Sequence, residues 1–248
     1  MDNQKSTQPG AVSVSMTNVN KSGNVNPELD HIKVWLFDLD NTLYPAHCNL
    51  FSQIDLRINE YVADVLDLNM ENARVHQKRY FREHGTTLRG LMVDHDVDPH
   101  HYMDFVHDID LAPVDVSPAL DAVLHKLPGR KLIFTNGSVK HAENVTGKLG
   151  IEHHFEAIFD IAASDFVPKP DVQPYQKLIR EHDLNAVETI FFDDMDRNLE
   201  PAAALGMTTV WVPGHAEWSG DGEGDHVHHI AKDVTTFLQA AVAGLEPR

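Results

Sequence analysis

The sequence predicts a doubly wound α/β fold carrying a helical insert, and three observations support this. Short apolar runs rich in β-branched and aromatic residues recur at 32–37 (IKVWLF), 131–135 (KLIFT), 157–161 (AIFDI), 189–192 (TIFF) and 208–212 (TTVWV). Runs of this length suit strands buried on both faces of a parallel sheet. Helical stretches lie between them, among them VKHAENVTGKLG, stopped at Gly150, and NLEPAAALGM. Such alternation builds a layered sheet whose ligands bind at the carboxyl ends of the strands. Finally, about 90 residues separate the first run from the second, far more than a crossover helix uses.

Taken in order, residues 1–29 are polar and without period, a mobile tail in which Lys5 and Lys21 cancel Asp2 and Glu28. The core is expected to comprise 30–48 and 116–248, and the insert 49–115 to be a small helical domain. In LFSQIDLRINEYVADVL, Phe51, Ile54, Ile58, Tyr61, Val62 and Val65 recur at three and four positions and share one helix face. Further helices are expected over 71–84, 86–93 and 99–108, and in the core over 198–205.

Composition limits the function classes. The chain has 248 residues, enough to bury a sizeable core, and Lys plus Arg is 20 against Asp plus Glu 38. The net charge of -18 opposes non-specific attraction to a nucleic acid polymer or an anionic membrane. No apolar run approaches the roughly 18 residues of a membrane span, and the N-terminus has neither signal nor transit pattern, so the expected location is cytoplasmic. The one cysteine, Cys48, excludes an intrachain disulfide and reads as a packing residue.

Four strand ends carry the chemistry. The first runs into Asp38 and Asp40, which lie two apart and so face one space. Magnesium relieves the repulsion between such carboxylates; a solvated turn capped by Asn41 is the plainer reading. The second gives Thr135, Asn136, Gly137 and Ser138, a hydroxyl and backbone donors at a helix start that suit phosphate but also suit an ordinary turn. Lys169 sits between two prolines, and TIFF ends in Asp193 and Asp194. Together these supply the groups for metal-assisted phosphoryl transfer.

In this order DLDNT, TNGS, KPD and DDMDRN resemble the motifs of the haloacid dehalogenase-like (HAD) superfamily of aspartyl-phosphate-forming hydrolases, over about residues 32–245. The resemblance implies a Rossmann-like three-layer parallel sheet core with an inserted helical cap of the C1 type. The runs WLFDLDNTLYP, GTTLRGLM with HDVDP, and IFFDDMDRNLEPAAALGM most resemble the pyrimidine 5'-nucleotidase branch. By that resemblance Asp38 is the nucleophile and Asp40 the acid and base. Lys169, Thr135 and the backbone of Asn136 and Gly137 stabilise phosphoryl charge. Mg2+ is held by Asp38, Asp40 through its carbonyl, and Asp194, with Asp193 direct or through water.

The implied substrate is a small phosphorylated metabolite, a nucleoside monophosphate in that branch. Asn198 stands where many members carry an acid, and orienting a water or Lys169, or starting the helix, are both open. Dehalogenation on this fold needs neither an acid two residues after the nucleophile nor a metal, so Asp40 argues against it. A phosphomutase would share the site. A receiver-like phospho-acceptor is smaller, lacks a cap and has its acidic pair early. Arg89, in the insert, is the first candidate for a base or sugar contact, with Tyr44 and Asp165 behind it. The histidines at 225–230, His153 with His154, and His100 with His101 read as solvated or packed, and the acidic stretch 217–225 as a surface loop.

Overall fold

Strand β1 (Val34–Phe37) holds the centre of the sheet, its four residues VWLF all buried. The computed structural model of the chain describes residues 29–214 and 219–245. The tail expected over 1–29 therefore lies, except for Leu29, outside the described residues, as do positions 215–218 at the start of the acidic loop. Among the described residues no helix is long and apolar enough to cross a membrane.

β1 pairs in parallel with β2 (Arg130–Phe134) on one side and β4 (Thr189–Asp193) on the other. Strand β3 (Ala157–Phe159) extends the sheet beyond β2, and β5 (Thr208–Trp211) and β6 (His229–Ile230) extend it beyond β4, so the order is β3-β2-β1-β4-β5-β6, all parallel. The chain leaves β1 in one direction and returns to its other side at β4. The crevice at such a reversal is where open α/β sheets bind ligands. Register makes this concrete: Phe37 is level with Ile133 and with Phe192, so the residues after all three strands emerge at one edge.

Alternation along β1 builds two cores. Trp35 and Phe37 face a layer that includes α5 (Pro118–Lys126), α6 (Val139–Leu149) and α9 (Val234–Leu245). Val34 and Leu36 face α7 (Val172–Glu181) and α8 (Asp196–Ala204) through Tyr175, Leu178, Leu199 and Ala202. These are the three layers of the α/β fold.

β1 to β5 lie where the apolar runs place them, with shifted ends, and β6 falls in the histidine-rich stretch 225–230. β3 stops at Phe159 rather than at 161 because the Asp160 carboxylate accepts from the backbone N–H groups of Val139 and Ala163, which turns the chain. α8 starts at Asp196, two residues earlier than expected. α6 ends at Gly150, whose φ of 77° only glycine adopts easily.

The insert is four helices: α1 (Leu50–Leu66), α2 (Met70–His84), α3 (Thr87–His95) and α4 (Pro99–Val106). Their starts are capped by side chains for α2 to α4, with Asn69, Thr86 and Asp98 each accepting a first-turn N–H. They share a core of their own, including Tyr61, Val62, Tyr80, Leu91 and Tyr102. α3 crosses α2 at Gly90, where a Cβ would lie 2.2 Å from the Tyr80 ring, so no larger residue fits. This unit meets the core through Arg197, whose guanidinium stands 4.3 Å over the Phe81 ring and donates to the Gly85 carbonyl at 3.3 Å.

Candidate active site

Lys169 is the centre of the strand-end cluster. Its ammonium donates to Asp38 Oδ1 at 2.8 Å, Asp193 Oδ2 at 2.7 Å and the Phe134 carbonyl at 2.9 Å, and it packs between the rings of Phe134 and Phe191. The lysine is 1% exposed, so its charge survives only because two carboxylates meet it. Burial lowers its pKa, but Asp193 and Asp38 outweigh burial and hold it above the ordinary lysine value.

Asn136 delivers that lysine. Its side-chain oxygen accepts from the Lys169 N–H at 2.9 Å, and its amide donates to the Lys169 carbonyl at 3.3 Å, a two-point clamp on the backbone of KPD. Thr135 is buried at the end of β2, and its hydroxyl accepts from the Gly137 N–H at 2.9 Å, which shapes the turn into α6. Asp193 is pinned by the Asn198 amide at 2.9 and 3.1 Å and by the Met195 N–H at 2.9 Å. Asn198 thus acts on Asp193, and neither on Lys169 nor as a helix cap.

Asp40 has a separate set of partners. Its Oδ1 lies 2.8 Å from His141 Nε2 and 2.7 Å from the Tyr44 hydroxyl, which donates to it. The His141 ring stacks on that of His107 at 4.2 Å, and His107 Nδ1 reaches the Ser138 hydroxyl at 3.0 Å. Burial pushes the Asp40 carboxyl up, but the charge and hydrogen bond of His141, with help from Tyr44, win and hold it below the usual range. His107 is driven down to about 3, by burial first and by His141 second.

The remaining carboxylates repel one another. Burial, opposed by Lys169 and reinforced by Asp193 and Asp40, pushes Asp38 up to about 7. Asp194 is raised well above its ordinary value by burial and then by Asp193 and Asp38. Carboxylate oxygens of Asp38, Asp193 and Asp194 lie within 4.8 Å of one another. An oxygen-only donor set under mutual repulsion, beside the unpartnered buried Oδ1 of Asn198, fits a hard divalent cation. Gly214 leaves room for the Asp194 carboxylate: a Cβ there would stand 2.6 Å from Asp194 Oδ2.

A cavity of about 540 Å³ joins this cluster to the helical unit. Asp38, Asp40, Thr135, Asn136, Gly137, Lys169 and Asp194 line its floor, and Phe51, Arg74, Gln77, Phe81 and Tyr102 are among the residues of its roof. The structure does not bring Arg89 there. α3 turns it toward the core, where its guanidinium donates to the Phe166 carbonyl at 3.3 Å. Asp165 is also outside, paired with Lys177 at 2.6 Å. Tyr44 belongs to the site through Asp40. The sequence motifs do not mark His141 and His107; a histidine at the third position of a helix opening from a strand end is the available signal for His141.

Comparison with known proteins gives the class, a hydrolase, and then the family: the model for haloacid dehalogenase-like hydrolases matches residues 32–206. The chain belongs to that family. The curated relative Phosphate metabolism protein 8 of Saccharomyces cerevisiae is 26% identical over 191 residues, 71% of this chain; the match spans only 60% of the yeast protein. Two solved structures share the fold. A haloacid dehalogenase-like family protein of Streptococcus pneumoniae matches with a TM-score of 0.55 at 14% identity, over 87% of this chain and 99% of its own. A 2-haloacid dehalogenase of Pseudomonas syringae pv. Tomato matches with 0.51 at 18%, over 86% and 99%.

Proposed function

We propose that the protein is a magnesium-dependent phosphomonoester hydrolase that works through an aspartyl-phosphate, with pyrimidine nucleoside 5'-monophosphates as its substrates. In this reading residues 30–48 and 116–248 are the catalytic core and 49–115 the cap. The observation that carries it is Asp40, held two residues after Asp38 at the cavity floor by His141 and Tyr44. Displacing a halide would need no such group, whereas expelling an alkoxide needs a proton.

Asp38 attacks phosphorus, and the bond to the substrate's ester oxygen breaks as that oxygen takes a proton from Asp40. A water then attacks the phosphoryl group and loses a proton to Asp40, which frees phosphate and restores the Asp38 carboxylate. His141 and Tyr44 both bond Asp40 Oδ1 and so hold the carboxyl in place for this proton exchange. Lys169 and the backbone donors at Asn136 and Gly137 meet the charge on the phosphoryl oxygens. Magnesium, held by Asp38, the Asp40 carbonyl and Asp194 with Asp193 nearby, would neutralise charge on the transferring group. The pyrimidine assignment rests on the sequence resemblance, supported by a cavity roof that includes the aromatic rings of Phe51, Phe81 and Tyr102.

The test is phosphate release from pyrimidine and purine 5'-monophosphates, sugar phosphates and p-nitrophenyl phosphate, with magnesium or EDTA and Asp38→Asn as blank. Release that needs both magnesium and Asp38, fastest with a pyrimidine nucleotide, is expected. Chloride release from 2-chloropropionate without any phosphate release would overturn the reading.

A further inference from the structure

Asp121, His153 and His154 converge outside the cavity, which none of them lines. Asp121 is in the first turn of α5, and the two histidines end the short 3-10 turn Glu152–His154 between α6 and β3. The sequence keeps them 32 and 33 positions apart, and the packing of α5 against that turn brings them together. One oxygen, Asp121 Oδ1, lies 2.7 Å from His154 Nε2 and 3.2 Å from His153 Nε2. The two rings are 4.1 Å apart, so both present the same nitrogen to one point.

We propose that Asp121, His153 and His154 form a metal site separate from the catalytic cluster, for a transition ion of the zinc class. Zinc bonds of about 2.0–2.2 Å in a tetrahedron put neighbouring donor atoms roughly 3.3 Å apart, so the contact at 3.2 Å needs almost no change and the one at 2.7 Å opens by about 0.6 Å. Two imidazole nitrogens and one carboxylate suit zinc, nickel or copper and disfavour magnesium and calcium, which take oxygen. Access is open on one side: the His153 side chain is 59% exposed, whereas that of His154 is 7% exposed and fixed. His125, one turn after Asp121, has its ring 6.4 Å from that of His154 but is not among the converging donors, so water would complete the tetrahedron. A bound ion would tie α5 to the segment entering β3, a staple between two elements that flank β2.

Equilibrium dialysis against zinc chloride, with magnesium saturating to occupy the catalytic carboxylates, tests this on the full chain. The wild-type protein is expected to hold one more zinc ion than Asp121→Asn or His153→Gln, or to hold it on the order of 10–100-fold more tightly. Zinc should also raise the Tm of wild type more than that of either variant, while phosphatase activity with magnesium alone stays unchanged in both. Both substitutions are at half-exposed positions, and melting without zinc verifies that the variants fold. Equal zinc stoichiometry and affinity in wild type and both variants would overturn the site and leave a carboxylate that merely accepts two imidazole hydrogen bonds. The proposed phosphatase reading is untouched by that result.

Discussion

His141 Nε2 lies 2.8 Å from Asp40 Oδ1, and this contact ties a helix on one side of the crevice to the loop that leaves β1. With the Tyr44 hydroxyl on the same oxygen, Oδ1 is committed to two partners and Oδ2 is left for proton exchange. His141→Ala should therefore lower kcat on the order of 10–100-fold, less than the 10²–10⁴ that a whole acid–base group supplies, with KM little changed. His141→Gln, which restores a donor near the Nε2 position, should recover part of the loss. A rise in KM at constant kcat would show that His141 supports binding and not Asp40.

Lys169 offers a test of stability as well as chemistry. Its ammonium is the partner of both Asp38 and Asp193, and all three side chains are buried. Lys169→Met would strand those carboxylates, and removing one member of a buried ion cluster costs about 3–5 kcal/mol. Urea unfolding of the metal-free variant should show that loss, and phosphate release should vanish. Unchanged stability would mean that the carboxylates shed their charge at no cost.

The raised carboxylates set a pH dependence. Asp38 has an ordinary value of 3.8 and is pushed to about 7 in the fold, with Asp194 moved the same way. Between those limits the folded chain binds more protons than the unfolded chain, so this contribution to stability falls as pH rises from about 4 to about 7. A divalent cation held by these carboxylates, as proposed, would take the place of the proton and bind best once they are ionised. Magnesium should thus raise Tm, relative to EDTA, more at pH 8 than at pH 5.5. A larger rise at pH 5.5 would place the cation elsewhere.

Much of this was legible because buried parallel strands leave a local trace. IKVWLF, KLIFT and TIFF are apolar on both faces, and their register then places Asp38, Thr135 and Asp193 at one edge without further information. The histidines were not legible for the opposite reason. Which way His141 points depends on how α6 sits over the end of β1, and His153 meets Asp121 only through the packing of two distant elements. A helix arginine such as Arg89 gives no direction by itself. The crossing of α3 over α2 at Gly90 turns it toward the Phe166 carbonyl, a long-range contact that GTTLRGLM does not encode by itself.

That placement of Arg89 separates docking from substrate choice. Its guanidinium joins the helical unit to the loop before Lys169 and stands outside the cavity, so Arg89→Ala should raise KM by a similar factor for every substrate and leave the preference among them intact. Phe51 is different, because it lines the cavity from α1 and has no polar tie to the core. If a nucleobase stacks there, Phe51→Ala should cost about 1–3 kcal/mol of nucleotide binding, roughly 5- to 150-fold in KM, while a sugar phosphate that lacks a base loses little. Measuring KM for a pyrimidine nucleotide and a sugar phosphate in both variants decides between the two roles. A preference altered by Arg89→Ala and kept by Phe51→Ala would reverse the assignment and put the specificity contact on α3.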